Sequence, residues 1–140
     1  MAEIDHLGIA VHSLAAACPL YQLLGLEPAA SEEISSEGVR VVMLPTGSSR
    51  IELLEPTRPD SPVARFLDRR GEGLHHIALR VPDLAAAAAR LRQAGVRLVN
   101  HAIQTGAGGH RYVFVHPSSA GGVLIELVEP TPPAPAQEPR

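Results

Sequence analysis

Four side chains that can bind a metal ion stand at matching places in the two halves of this sequence. The run IELLEP at 51–56 returns as IELVEP at 125–130, and the histidine segment 5–11 returns as 75–81. Each half therefore begins with a histidine strand and ends with a glutamate strand. Two imidazoles and two carboxylates, with no thiolate, suit Co, Ni, Zn, Mn or Fe(II), and they leave two of six positions open for a chelating substrate. The four residues are His6, Glu52, His76 and Glu126.

Strand alternation predicts which of these side chains point to a common face, because successive residues of a strand point to opposite faces. His6 and His76 lie opposite the apolar rows, whereas His75 falls on the apolar side. Glu52 lies opposite Ile51 and Leu53, and Glu126 lies opposite Ile125 and Leu127. A buried carboxylate costs several kcal/mol unless it is paired or bound to a metal. The apolar rows, expected under helices, are Leu7, Ile9, Val11, Ile77, Leu79 and Val81.

Each half reads as a βαβββ unit, so we predict an α+β fold in which two paired βαβββ modules form a cupped mixed sheet. The first helix is expected over Leu14–Leu24, after a Ser13 cap, and the second over Leu84–Ala94. A linker helix is expected at about 61–70, beginning with the Ser61-Pro62 pair. The predicted strands are 4–11, 31–35, 39–44, 50–55, 75–81, 97–100, 111–116 and 123–129.

Composition predicts one domain with a core of ordinary size. The chain has 140 residues, of which 45% are hydrophobic and 19% charged, which is globular composition. We expect a single domain over 1–130, with modules at about 4–56 and 74–130, and a disordered Pro/Ala-rich tail at 131–140. The net charge of −3 gives no basic footprint for nucleic acid or for an anionic membrane. Cys18 is the only cysteine, and without a leader or a long apolar run we expect a cytoplasmic protein.

Several segments resemble the methylmalonyl-CoA epimerase family of the vicinal oxygen chelate superfamily. They are IDHLGIAV at 4–11, SSRIELLEP at 48–56, DSPVARFL at 60–67, GEGLHHIA at 71–78, and HP at 116–117 running into GGVLIEL at 121–127. The likeness extends from about Ile4 to Glu129. It implies the paired-module fold around a divalent ion, often cobalt, and it places His6, Glu52, His76 and Glu126 at the family's ligand positions.

The resemblance also implies a reaction, the interconversion of (R)- and (S)-methylmalonyl-CoA by proton transfer at C2, in a homodimer that binds an acyl-CoA. Glu126 matches the family's acid/base on one side. Some members carry a second glutamate on the third strand, where this chain has Val41. Glu52 or an ordered water is then the expected substitute. The ion is expected to stabilise the enolate, with cobalt first and Ni, Zn, Mn or Fe(II) as alternatives.

The glycine-rich loop Gly106–Arg111 is a candidate substrate site, because its amides and an arginine can hold a carboxylate or a CoA phosphate. The residues concerned are Gly108, Gly109, His110 and Arg111. A plain flexible turn is the other interpretation. Two other functions remain open: a glyoxalase-type isomerase (lactoylglutathione lyase-like) with the same four ligands, and a metal-free small-molecule-binding protein of the same superfamily.

Overall fold

The strands of both halves form a single curled sheet in the computed structural model, which describes residues 2–106 and 109–130. Within these residues the sheet has eight strands, numbered β1 to β8 along the chain, and their order across the sheet is β2-β3-β4-β1-β5-β8-β7-β6. We call β1, α1 and β2–β4 the first module, and β5, α3 and β6–β8 the second module. The predicted α+β architecture of two paired βαβββ modules is confirmed.

The elements of the first module and of the linker follow the expected order along the chain. The helices obey ordinary start signals: the Ser13 hydroxyl accepts from Ala16 N, and the Ser61 hydroxyl accepts from Ala64 N. The bounds are β1 Glu3–Ala10, α1 Leu14–Leu23, β2 Glu32–Ile34, β3 Val39–Thr46, β4 Ser49–Pro56 and α2 Pro62–Arg70.

The second module repeats this arrangement, with one departure from the sequence prediction. Its elements are β5 Gly73–Arg80, α3 Leu84–Gln93, β6 Gln104–Thr105, β7 Arg111–Val115 and β8 Ile125–Val128. The prediction of a strand at 97–100 is wrong, since this segment forms only an isolated bridge between Leu98 and Val115. The reason is that the Asn100 side chain, rather than a backbone carbonyl, accepts the hydrogen bond of Phe114 N at 3.0 Å.

The two modules meet along β1 and β5, which pair antiparallel at the centre of the sheet. Each of these strands pairs on its other side, in parallel, with the glutamate strand of its own module: β1 with β4 and β5 with β8. Four neighbouring strands therefore carry the two histidines and the two glutamates. The pairing of the modules lies within one chain.

The helices α1 and α3 cover one face of the sheet, and this leaves the other face free to enclose a cavity. Ile9 and Val11 pack in the cluster under α1, and Leu79 and Val81 pack in the cluster under α3, as strand alternation predicts. The helix starts are also tied to the glutamate strands. Glu55 accepts a hydrogen bond from Leu14 N at 2.7 Å, and Glu129 accepts one from Leu84 N at 3.4 Å. A third cluster joins α2 to the cavity side of the first module.

Two bulges interrupt the regular pairing of β1 with β5. Asp5 is the extra residue on β1, between the pairs of Ile4 and His6, and His75 is the extra residue on β5, between the pairs of Leu74 and His76. A bulge places two adjacent residues against one partner and re-aims a side chain. Both bulges therefore lie directly before a histidine of the predicted site.

Among the helices of the described chain, none combines the length and the apolar character needed to cross a membrane. The tail 131–140, for which disorder is predicted, lies outside the described residues.

Candidate functional site

Three of the four predicted ligands converge at the centre of the sheet. His6 Nε2 lies 3.0 Å from His76 Nε2 and 3.2 Å from Glu126 Oε1, and His76 Nε2 lies 3.5 Å from the same oxygen. The two histidines are only 5% and 7% exposed. The pairing of β1 with β5, and of β5 with β8, brings these side chains onto one face.

These separations are compatible with one bound cation. Ligand atoms about 2.1 Å from the same ion lie about 3.0 to 3.4 Å apart, between right-angle and tetrahedral geometry. The three distances here, 3.0, 3.2 and 3.5 Å, cover that interval and end just beyond it. Two imidazole nitrogens and a carboxylate oxygen also form a donor set that suits borderline divalent ions. The residues present therefore fit a divalent metal.

Glu52, the fourth predicted ligand, lies on the other side of the His6 ring. Its Oε2 is 3.3 Å from His6 Nδ1, accepts a hydrogen bond from Arg50 Nε at 2.8 Å, and forms an ion pair with Arg50 Nη2 at 2.7 Å. The backbone positions of the two glutamates are nevertheless equivalent, since Glu52 pairs with Gly8 as Glu126 pairs with Ala78. The difference lies in the neighbouring residue: Arg50 in the first module corresponds to an apolar leucine, Leu124, in the second.

Asp5 orients His6, and sequence reasoning missed it. Its Oδ2 accepts a hydrogen bond from His6 Nδ1 at 2.8 Å, and its Oδ1 accepts one from Arg80 at 2.8 Å. Burial alone would raise the pKa of this carboxyl, but the hydrogen bond to His6, the charge of Arg50 and the bond to Arg80 lower it to about 2. Regular alternation would place Asp5 on the face opposite His6, whereas the bulge at Asp5 brings it beside the His6 ring. Arg50 and Arg80 are both engaged in ion pairs here.

His75 plays the corresponding part beside His76. Its Nδ1 lies 2.9 Å from His76 Nδ1, and its ring packs edge-on against Phe66 at 5.0 Å between centroids. Burial lowers the pKa of His75, so a neutral ring can accept the Nδ1 proton of His76. His75 is not one of the three clustered ligands. Its assignment to the apolar side is wrong, however, because the bulge brings it to the cavity wall.

Gly8 makes room for the His76 ring. A Cβ atom at this position would lie 2.2 Å from His76 Cε1 and 2.5 Å from its Nδ1. Those distances are far inside van der Waals contact, so the buried His76 ring would have to shift. The small residue on the site face of β1 is therefore a condition for the convergence of the two histidines.

The two histidines differ in charge when only protein groups surround them. Burial lowers the pKa of His6, but hydrogen bonds to Asp5 and Glu126 and the charge of Glu52 outweigh it and raise the pKa to about 9. Burial, followed by the charges of His6 and His75, lowers the pKa of His76 to about 3. An incoming cation must therefore displace a proton from His6, so ion binding is coupled to pH.

The histidines open into a cavity of about 420 Å³ on the site face. The polar residues that line it without having been predicted include Glu37, in the turn before β3, and Tyr112, on β7. The Tyr112 hydroxyl donates to Glu37 Oε1 at 3.2 Å and so joins the two modules. Burial raises the pKa of the Glu37 carboxyl. Burial of the Tyr112 hydroxyl, together with the negative charge of Glu37, raises the pKa of Tyr112 to about 12. Apolar side chains complete the walls, including Val41, Met43, Leu54, Phe114 and Val128.

The predicted substrate loop is only partly near this cavity. His110 lines it, and Gly109 adopts a left-handed conformation with φ of 77° in the turn before β7. Arg111 lies elsewhere: its guanidinium binds Glu129, at 3.2 Å, beside the start of α3. Gly108 lies outside the described residues.

A second groove of about 530 Å³ adjoins the site and shares Pro62, His75, His76 and Leu124 with the cavity. Three arginines of α2 line it, together with the Phe66 ring. The Arg70 guanidinium lies 5.8 Å from the centroid of that ring. The three arginines are Arg65, Arg69 and Arg70. Their charge and the neighbouring apolar surface are suited to an anionic ligand with a hydrophobic part.

Comparisons with known proteins agree with this architecture. The model of the glyoxalase/bleomycin resistance protein/dioxygenase superfamily matches residues 5–114. The ethylmalonyl-CoA/methylmalonyl-CoA epimerase of Cereibacter sphaeroides is 38% identical over 128 residues, which are 89% of this chain and 96% of that protein.

Solved structures give the same result. The crystal structure of methylmalonyl-CoA epimerase from Mycobacterium tuberculosis superposes with a TM-score of 0.85 at 44% identity, over 92% of this chain and 88% of that one. A methylmalonyl-CoA epimerase in complex with methylmalonyl-CoA and NH4+ superposes with a TM-score of 0.88 at 41% identity, over 94% and 96%.

Proposed function

Because the chain belongs to the methylmalonyl-CoA epimerase family, within the glyoxalase/bleomycin resistance protein/dioxygenase superfamily, we propose that it interconverts (R)- and (S)-methylmalonyl-CoA. The observation that most directly supports this is the convergence of His6, His76 and Glu126 at the base of a cavity. The proposed reaction moves one proton at C2, the carbon between the thioester and the carboxylate.

We propose that His6, His76 and Glu126 hold one divalent ion, with cobalt first and nickel, zinc, manganese or iron(II) as alternatives. Glu52 is the proposed fourth ligand, and its carboxylate would have to break its contacts with Arg50 to reach the ion. A bound ion supplies Lewis-acid stabilisation of the negative charge that develops on the thioester oxygen. Asp5 and His75 fix the rings through their Nδ1 atoms and so keep both Nε2 atoms directed at the site.

Glu126 is the proposed acid/base on one face of the substrate. A positioned group of this kind contributes about 10²–10⁴-fold to the rate. The apolar walls of the cavity exclude water around the reacting carbon, and a low dielectric strengthens the electrostatic interactions of the site. Glu52, expected from the sequence as a second acid/base, is proposed here as a ligand only, because both Arg50 contacts favour its anionic form.

The CoA part of the substrate is proposed to lie in the arginine-lined groove of α2 rather than on the Gly106–Arg111 loop alone. The groove is continuous with the cavity through His75 and His76. Guanidinium groups bind phosphates by charge-assisted hydrogen bonds. We further propose a homodimer that acts in the cytoplasm, and sedimentation velocity tests the oligomeric state.

The function is tested with protein loaded with Co2+ and with a chelator-treated sample of the same preparation. Each pure epimer of methylmalonyl-CoA is incubated in D2O, and C2 deuterium and inversion are followed by NMR and chiral analysis. We expect deuterium incorporation at C2 and inversion only in the Co2+-loaded sample. Ethylmalonyl-CoA is assayed in the same way as a second substrate. Turnover of a glutathione hemithioacetal without C2 exchange of either acyl-CoA would instead support the glyoxalase-type alternative.

A further inference from the structure

We propose that the Glu37 carboxylate is the acid/base on the substrate face opposite Glu126, and that Tyr112 positions it there. This inference rests on the proposed epimerase function. Inversion at a carbon requires that a proton leave from one face and return to the other. Glu126 can serve only one face, so a second proton-transfer group must reach the cavity from another direction.

Glu37 approaches the cavity from the opposite module. It lies in the turn that leads from β2 into β3 of the first module, whereas Glu126 lies on β8 of the second. The Tyr112 hydroxyl holds Glu37 Oε1 at 3.2 Å across the cavity. Since Glu37, Tyr112 and Glu126 line one cavity, a substrate inside it has a carboxylate available from each module.

The surroundings of Glu37 suit proton exchange better than those of Glu52. Two nitrogens of Arg50 contact Glu52 Oε2, which stabilises the anion and opposes protonation. No ion pair to Glu37 occurs among the described residues, where its carboxylate meets the Tyr112 hydroxyl instead. Burial raises the pKa of Glu37, the Tyr112 hydrogen bond lowers it, and the charges of Glu126 and Glu52 raise it further.

The proton balance of the proposed step is as follows. The Glu126 carboxylate takes the C2 proton of one epimer, and the C–H electron pair moves into the bond between C2 and the thioester carbon to give the enolate. Protonated Glu37 then donates its proton to the other face of C2. Glu37 ends as the carboxylate and Glu126 as the acid, and exchange with water restores the starting state. The reverse direction exchanges the two roles.

The test separates proton removal from inversion. The variant Glu37→Gln keeps the hydrogen-bond acceptor for Tyr112 but cannot take a proton. In D2O, we expect interconversion to fall by about 10²–10⁴-fold, whereas one epimer still gains C2 deuterium without inversion at a rate within about tenfold of the wild type. Glu37→Asp, which withdraws the carboxylate by one carbon, should show the same one-sided pattern more weakly.

The matched control is Glu33→Gln, which removes the same charge from the same hairpin at an exposed residue outside the cavity. It should leave both epimers reacting at wild-type rates. The inference is overturned if Glu37→Gln slows exchange of both epimers in parallel, if it slows neither, or if Glu52→Gln alone gives the one-sided pattern. A wild-type enzyme that exchanges neither epimer would reject the epimerase function itself, which is a separate result.

Discussion

Asp5 and His75 occupy equivalent places in the two modules, and each contacts the Nδ1 atom of the histidine that follows it, at 2.8 and 2.9 Å. Both are the extra residue of a bulge between β1 and β5. The duplication therefore extends beyond the ligands to the residues that orient them. The chemistry of the two positions differs, since one is an anionic carboxylate and the other an imidazole whose pKa is lowered by burial.

Asp5→Asn should weaken metal binding by about 10–100-fold, because an amide orients His6 less strongly and does not increase the basicity of its Nε2. Chelator competition with Co2+ measures this affinity. Glu3→Gln is the matched control: Glu3 also binds Arg80, at 2.9 Å, but it is exposed and outside the site. Unchanged affinity in Asp5→Asn would show that the contact does not support the ion site.

Arg50→Leu should strengthen metal binding by about tenfold, or about 1.4 kcal/mol, if Glu52 is the fourth ligand. The substitution reproduces Leu124 of the second module and releases the Glu52 carboxylate from a hydrogen bond and an ion pair. Isothermal titration with Co2+ gives the affinity. The double variant Arg50→Leu/Glu52→Gln should lose the gain. Equal affinities for the wild type and Arg50→Leu would argue that Glu52 does not bind the ion.

The sequence predicted the backbone frame of this site because strand alternation and the repeat have a fixed period. Those patterns correctly gave the common face of His6, His76 and Glu126. They failed at Asp5 and His75, since a bulge adds one residue and period-two counting cannot detect it. The glutamates have equivalent backbone positions, but the Arg50 side chain decides where the Glu52 carboxylate points.

Glu37 escaped prediction for a different reason. Its contact with Tyr112 crosses from one module to the other and depends on how strongly the sheet curls. No local pattern encodes that curvature. A glutamate next to Gly38 in a turn is typical of a solvated residue, and only the cavity around it indicates otherwise.

Gly8→Ala should reduce both stability and metal occupancy. The added Cβ would lie 2.2 Å from His76 Cε1, and overpacking of this kind costs about 1–3 kcal/mol. Urea unfolding and metal analysis of the purified variant measure the two effects. Gly73→Ala is the control, since its Cβ would meet nothing within 4 Å and Gly73 has no positive φ. Gly8→Ala with full stability and occupancy would contradict the close approach.

Glu37→Gln should stabilise the metal-free protein more at pH 7 than at pH 4. The pKa of Glu37 is raised in the folded state from an ordinary value of 4.5. Its contribution to the unfolding free energy is therefore most favourable below that value and is lost as the pH rises through the folded-state pKa. The groups facing it, Tyr112, Glu52 and Glu126, remain in both proteins. Urea unfolding at the two pH values measures the difference, and a pH-independent difference would refute the shift.

Replacing Arg69 by Glu should raise the KM for methylmalonyl-CoA by about tenfold or more and change kcat little. The groove of α2 is proposed to bind phosphates of the CoA part, away from the reacting carbon, and a charge-assisted hydrogen bond contributes about 1.5–3 kcal/mol. Arg65→Glu, on the same groove, should act in the same direction. Steady-state kinetics at two salt concentrations measures both variants, because the effect should shrink as added salt screens the charges.

Arg90→Glu on α3 is the matched control, since Arg90 is an exposed helix residue that lines neither the groove nor the cavity. If Arg90→Glu raises KM as much as Arg69→Glu does, the CoA phosphates are held by overall charge rather than by this groove.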